Sequence, residues 1–225
     1  MLVSNLEELT VLLTDWYAIG DLSVPTETLP IDSIAANSLV EAWTKLGRLS
    51  IGYEQWLREG TPSPLACQDG LAAPSYLVRR NGFVHIVSEN QGNWTMCYRE
   101  EDQAADPEIF SNFLEQEIGG TGYVSLGCKL SDLIITSVLT ETVFFGSVPY
   151  EKAKTLESAC DRHVWTGQYY NAVGFGSDYE RPSHQLRANS ENNMLALYWN
   201  NEFSGFLARA NIGKQRFRSI LSSGS

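Results

Sequence analysis

Along the first 100 residues, apolar positions follow two different periods. Ser4-x-x-Glu7 stands before Leu6, Leu9, Leu12, Leu13, Trp16 and Tyr17, a 3.6-residue spacing that predicts a capped amphipathic helix stopped by Gly20-Asp21. After a polar stretch with Pro25 and Pro30, a second helix is predicted from about Asp32 to Leu46, with Gly47 as its stop. Residues 58–75 carry Gly60, Pro62, Pro64, Gly70 and Pro74 and read as a connection. The period then changes to two. Tyr76 to Arg80, the turn Asn81-Gly82 and a strand from Phe83 predict a hairpin. Phe83, His85 and Val87 alternate with Val84 and Ile86, so both faces of this strand are apolar, as in a central strand covered on both sides. Trp94, Met96 and Tyr98 alternate with Thr95, Cys97 and Arg99, the half-buried pattern of an antiparallel partner.

Further along, Asp132 to Glu141 is rich in β-branched residues, but its length and the Ser131-Asp132 cap favour a helix. The tail returns to strands at His163–Tyr170, Gln185–Ala188, Met194–Trp199 and Phe203–Ala210. Asn200-Asn201 is predicted as a tight hairpin because asparagine tolerates positive φ. These elements specify a single α+β domain over residues 1–225, mainly antiparallel sheet with N-terminal and packing helices. The C-terminal strands, at about 160–210, extend or flank the same sheet.

The strand pair also carries a resemblance. Glu89-Asn90-Gln91-Gly92-x-Trp94 between two strands, followed by Asp106-Pro107, is similar to the motif of the SUKH superfamily, the Smi/Knr-like proteins. Leu29-Pro30 before a helix with Leu39, Trp43 and Leu46 resembles that family's opening. Gln68-Asp69-x-Leu71 with Pro74 and Leu77 resembles its link to the first strand, and Leu130-Ser131-Asp132-Leu133-Ile134 its closing helix. The likeness covers about 29–145; Asn93 stands where a small apolar residue is usual, and the long C-terminal continuation departs from the common pattern. It implies a mainly structural role for Glu89, Asn90, Gln91, Gly92, Trp94, Asp106 and Pro107. It also implies a protein-binding function: immunity against a cognate bacterial toxin by occlusion, or regulation of cell-wall assembly or stress signalling.

Composition narrows the alternatives. Hydrophobic residues make up 43% of the chain and charged residues 19%, as in ordinary globular proteins. The N-terminus has no basic leader and no apolar run reaches membrane-spanning length, so a cytoplasmic protein without a membrane partner is expected. The net charge of −11 is uneven: residues 1–120 hold 18 acids against 6 bases, residues 121–225 hold 9 against 10. Between Arg99 and Lys129 no base occurs, while Glu100, Glu101, Asp102, Asp106, Glu108, Glu115 and Glu117 do. Direct nucleic-acid binding is disfavoured, because phosphate neutralisation needs a basic surface. With no Lys or Arg along this stretch to pair with them, Glu100, Glu101, Asp102 and Glu108 are the expected rim for a basic partner.

Signals of catalysis are sparse. Cys160-x-x-His163 would need two further ligands to hold zinc, and the only other histidines are His85 and His184. His85, on an apolar strand, reads as a hydrogen-bonded core residue. Cys67, Cys97, Cys128 and Cys160 are spaced as reduced, partly buried thiols rather than as ligands. Phosphate-loop, nucleophile-elbow and zinc-protease motifs are missing, so neither cofactor nor metal is expected and the chain reads as a binding protein. An acid–base enzyme using carboxylates with His85 or His163 is the other class. A deep pocket with convergent polar groups and displaced pKa values would favour it.

Overall fold

The computed structural model describes residues 2–29, 31–52, 63–73, 77–89, 94–112, 123–168 and 183–223. Helix α1, Leu6–Tyr17, buries the predicted face, but its cap lies one residue later than the sequence pattern suggests. Asn5 is the N-cap and accepts from the Glu8 N–H at 3.0 Å, while the Glu8 carboxylate accepts from Ser4 N and Ser4 Oγ, each at 2.7 Å. Glu7 is thereby released to pair with Lys45 at 2.5 Å. The helix ends at Ala18, in the left-handed region at φ 53°, ahead of Gly20. Helix α2 is Asn37–Leu46, shorter than predicted, because the Asp32 carboxylate accepts the Ile34 N–H and holds residues 32–35 in a turn. Gly47 does not stop the chain, which continues as a 3-10 helix over Gly47–Gly52. A glycine is needed there for close approach, since an added Cβ would lie 2.5 Å from a Val24 methyl carbon.

Among the described residues six strands form the first sheet: β1 Asp69–Leu71, β2 Val78–Arg80, β3 Phe83–Glu89, β4 Thr95–Arg99, β5 Glu108–Ser111 and β6 Val124–Lys129. The order is β1-β3-β4-β5-β6, with β2 also on β3, and the pairings are antiparallel. The β2–β3 hairpin turns at Asn81-Gly82, both at positive φ, as the sequence predicts. The predicted alternation fails in two places. His85 pairs with Cys97 but Val87 with Met96, so Ile86 is the extra residue of a bulge and Val87 crosses to the face of Val84. Cys97 is as buried as Met96 and Tyr98, so β4 is covered on both sides rather than on one.

Helix α3, Leu130–Phe145, is longer than the segment picked out by sequence, and its burial is spread around its whole circumference. Ser131 and Asp132 lie in its first turn, so neither is the cap residue itself. Asp132 accepts from the Lys129 N–H at 3.3 Å, and Asp106 accepts from Ser131 N at 2.9 Å and Ser131 Oγ at 2.7 Å. Thr136 and Thr142 satisfy their hydroxyls by donating to carbonyls one turn back, which lets them be buried.

The C-terminal strands do not extend the first sheet. Strands β7 Arg162–Gln168, β8 Ser183–Ala188, β9 Met194–Trp199 and β10 Glu202–Arg209 form a second antiparallel sheet in the order β10-β9-β8-β7. Asn200 and Asn201 make the predicted tight turn at φ 49° and 67°. Helix α4, Tyr150–Leu156, packs on β10, and α5, Ala210–Ser223, packs on α1; the sequence reading picked out neither. Helix α3 touches β1, β5 and β6 of one sheet and β7, β9 and β10 of the other. One buried apolar cluster therefore runs from Leu9 and Trp43 through Ile86 and Leu139 to Leu186 and Leu197, giving an α+β body around a central helix.

Candidate functional site

A cleft of about 470 Å³ opens where the two sheets meet beside α3. Its first wall comes from sheet one. Asp69 on β1 is paired in register with Glu89 at the end of β3, and the Glu89 N–H donates to the Trp94 carbonyl at 3.2 Å, bringing Trp94 to the same edge. The second wall comes from sheet two, where His184 on β8 faces Trp199 on β9, their rings edge to face at 5.7 Å. On β10 the register slips between Phe203 and Leu207, a bulge with Gly205 at φ 87° that presents Phe206 at the cleft. Phe206 packs edge to face on Phe144 of α3 at 4.8 Å. Trp199 and Phe206 are 37% and 43% exposed, whereas Trp94 is a buried wall at 5%.

Beneath this cleft lies Glu141 of α3, almost wholly buried. Its carboxylate accepts three successive backbone N–H groups, from Cys67 at 2.5 Å, Gln68 at 2.9 Å and Asp69 at 3.0 Å. This fixes the start of β1 on the central helix and so sets the position of Asp69. Burial pushes Glu141 up to about 8, with Asp69 adding to the shift and the three N–H donors opposing it. Burial, then Glu89, pushes Asp69 up to about 7, and burial depresses His184 to about 4. At neutral pH the cleft therefore holds a neutral imidazole and a carboxyl group near its midpoint. Such an arrangement can attract a cation or exchange a proton.

The residues picked out by sequence fall in three places. Glu89 and Trp94 are in the cleft, while Asn90, Gln91 and Gly92 lie outside the described residues. Asp106 and Pro107 instead anchor α3: besides the Asp106 bonds to Ser131, the Pro107 carbonyl accepts the Leu130 N–H at 3.0 Å. Glu100, Glu101 and Asp102 form the turn after β4, and here the expectation of carboxylates without partners is corrected. Arg79 reaches across from β2 to Glu100 and Asp32, each at 3.1 Å, and Arg99 lies 3.6 Å from Glu101. Asp102 accepts from Ala104 N within its own loop, and Glu108 on β5 takes the Ser125 hydroxyl. The absence of bases along the chain was a poor guide because β2 brings one in from 21 residues upstream.

Of the large aromatics in and around the strands, Trp94, Tyr98, Trp165 and Tyr198 are core, Trp199 is exposed, and Tyr169 and Tyr170 lie outside the described residues. Cys160 is buried while His163 is exposed and shares a hydrogen bond with Thr166 at 2.9 Å. Among the described residues no group of three or more His, Cys, Asp or Glu could hold a metal ion. His85 is a core residue, within 2.7 Å of Thr95 Oγ1 and 3.3 Å of the Tyr123 hydroxyl. No described helix is long and apolar enough to cross a membrane.

Fold and cleft together define an α+β protein of two antiparallel sheets, with an acidic, aromatic-walled cleft at their junction. Compared with known proteins, the chain matches no family model, no curated protein and no solved structure. The resemblance to the SUKH superfamily rests on the sequence motif alone.

Proposed function

We propose that this chain is a cytoplasmic protein-binding module of the immunity type, which neutralises a cognate, basic toxin protein by covering its working surface. The observation that carries this reading is the cleft itself, where the exposed Trp199 and Phe206 sit beside Asp69 and Glu89 on a molecule of net charge −11. Exposed aromatics in a cleft are the kind of group from which binding hot spots are built, and the surrounding negative charge steers a basic partner towards them. Glu100, Glu101 and Asp102 contribute to long-range attraction only, since Arg79 and Arg99 offset part of their charge. Regulation of the Smi/Knr type uses the same binding surface with a different partner.

The test is isolation of the partner from the native host, followed by reconstitution from the two purified proteins. A one-to-one complex in which the partner's toxicity or enzymatic activity is blocked supports immunity. A complex that leaves the partner active supports regulation, and a purified pair that does not associate overturns both.

One observation favours a second reading, acid–base catalysis in the cleft: Asp69 is held near pH 7 beside a second carboxylate, as a proton donor paired with a base would be. Turnover of any screened substrate that is lost in Asp69→Asn, with melting unchanged, would establish it.

A further inference from the structure

We propose that the cleft between the sheets is a receptor for a single arginine side chain presented by the partner protein, with Asp69 pairing the guanidinium and Trp199 and Phe206 stacking on it. This inference rests on the binding-module reading and names what that module grips. Three independent features of the cleft lead to it. A volume of about 470 Å³ is large enough for one long side chain and too small for a folded element. Its described lining contains Asp69 and Glu89 and no lysine or arginine, and the Asp69 carboxylate accepts no hydrogen bond from any described residue. Its outer walls are two exposed rings, Trp199 on β9 and Phe206 on β10, with Trp94 behind them.

A planar cation satisfies all three features at once. Guanidinium offers donors in a fork that matches a carboxylate and a flat face that stacks on indole or phenyl, and it is more weakly hydrated than an ammonium, so it loses less on leaving water. An anion would meet like charge here, and a purely apolar side chain would leave Asp69 buried without a partner. The groups facing Asp69 reinforce the preference. Glu89 lies across on β3, Glu141 approaches from α3 with its oxygens committed to the 67–69 backbone, and His184 on β8 is held neutral by burial. A bound cation favours the charged form of Asp69, so occupation should expel a proton and tighten as pH rises from 6 to 8.

The probe is N-acetyl-arginine methylamide titrated into the full chain, with the uncharged isostere N-acetyl-citrulline methylamide as control. The readouts are the Trp199 indole and Gly70 amide resonances. The arginine amide is expected to shift both signals, with binding at least tenfold tighter than citrulline and tighter at pH 8 than at pH 6. Asp69→Asn and Trp199→Ala are each expected to weaken it at least fivefold, with melting near wild type as the check on folding. Equal shifts from citrulline, shifts confined to residues outside the cleft, or full binding to Asp69→Asn would each overturn the inference. Weakening by Glu100→Lys, Glu101→Lys and Asp102→Lys together that matches Asp69→Asn would do the same, since the amide would then be sensing overall charge. In the reconstituted complex, a partner that binds Asp69→Asn and Trp199→Ala as tightly as wild type overturns the arginine receptor alone. A purified pair that fails to associate overturns the binding module, while the amide titration still decides the chemistry of the cleft.

Discussion

The turn after β4 and the cleft between the sheets are both acidic, yet their carboxylates are in opposite physical situations. Glu100, Glu101 and Asp102 form a run in the sequence, but in the fold Glu101 is exposed, Glu100 and Asp102 are half-exposed, and the run is partly matched by Arg79 and Arg99. Water and counter-charges make such groups inexpensive, so they neither strain the fold nor identify a site. Asp69, Glu89 and Glu141 are 20 and 52 residues apart along the chain and come together only through strand pairing and helix packing. Burial there displaces the protonation of Asp69 and Glu141, and such displacement characterises working sites more than surface charge does. A conspicuous run of acids thus turns out to be ordinary surface, while acids inconspicuous in sequence form the cleft.

The strongest way to break this contrast is at Glu141. Glu141→Ala leaves three backbone N–H groups without their acceptor at about 1–3 kcal/mol each, so a loss of about 3–6 kcal/mol is expected by chemical denaturation. A loss below about 1 kcal/mol would mean that water replaces the carboxylate and the cleft floor is wet. Trp94→Ala should cost about 3–5 kcal/mol by the same measurement, because a buried ring is removed from the wall. A near-wild-type melt would make Trp94 a contact residue instead of a core one.

A pH series sharpens the comparison further. Asp69 and Glu141 hold protons more tightly in the folded chain than in the unfolded one, so each favours folding at low pH and loses that contribution as pH rises through about 7 and 8. His184 acts oppositely, with its stabilising contribution lost as pH falls from 6.5 towards 4. Between pH 6.5 and 8 the two acids outweigh the residual imidazole contribution, and stability should fall by on the order of 2 kcal/mol. Asp69→Asn should reduce that slope; an unchanged slope would place Asp69 in a solvated setting like that of the turn.

Smaller effects follow away from the cleft. Asp106→Ala should cost about 1–2 kcal/mol, because it removes the acceptor for Ser131 N and Ser131 Oγ at the start of α3. Reversing Glu100, Glu101 and Asp102 to lysine should change stability by less than about 1 kcal/mol and slow association with a basic partner mainly at low salt. Loss of the complex at physiological salt would return those residues to the contact surface.

Period and turn chemistry were local enough to be read from the chain alone. The apolar face of α1, the Asn81-Gly82 and Asn200-Asn201 hairpins, the existence of α3 and the strands at 162–168, 183–188, 194–199 and 202–209 all follow from interactions within a few residues. Asp106-Pro107 was legible as important, though not as the anchor of α3, because that role depends on a helix start 25 residues away. Tertiary structure decided the rest. The Ile86 bulge moves Val87 to the other face, Arg79 offsets an acid run that has no base in its own stretch, and the tail strands close into their own sheet around α3. The cleft belongs to this second group, since Asp69, Glu141, His184 and Trp199 occupy four different elements. Desolvation and charge proximity are properties of a three-dimensional surrounding, and no stretch of sequence short enough to show a pattern contains that surrounding.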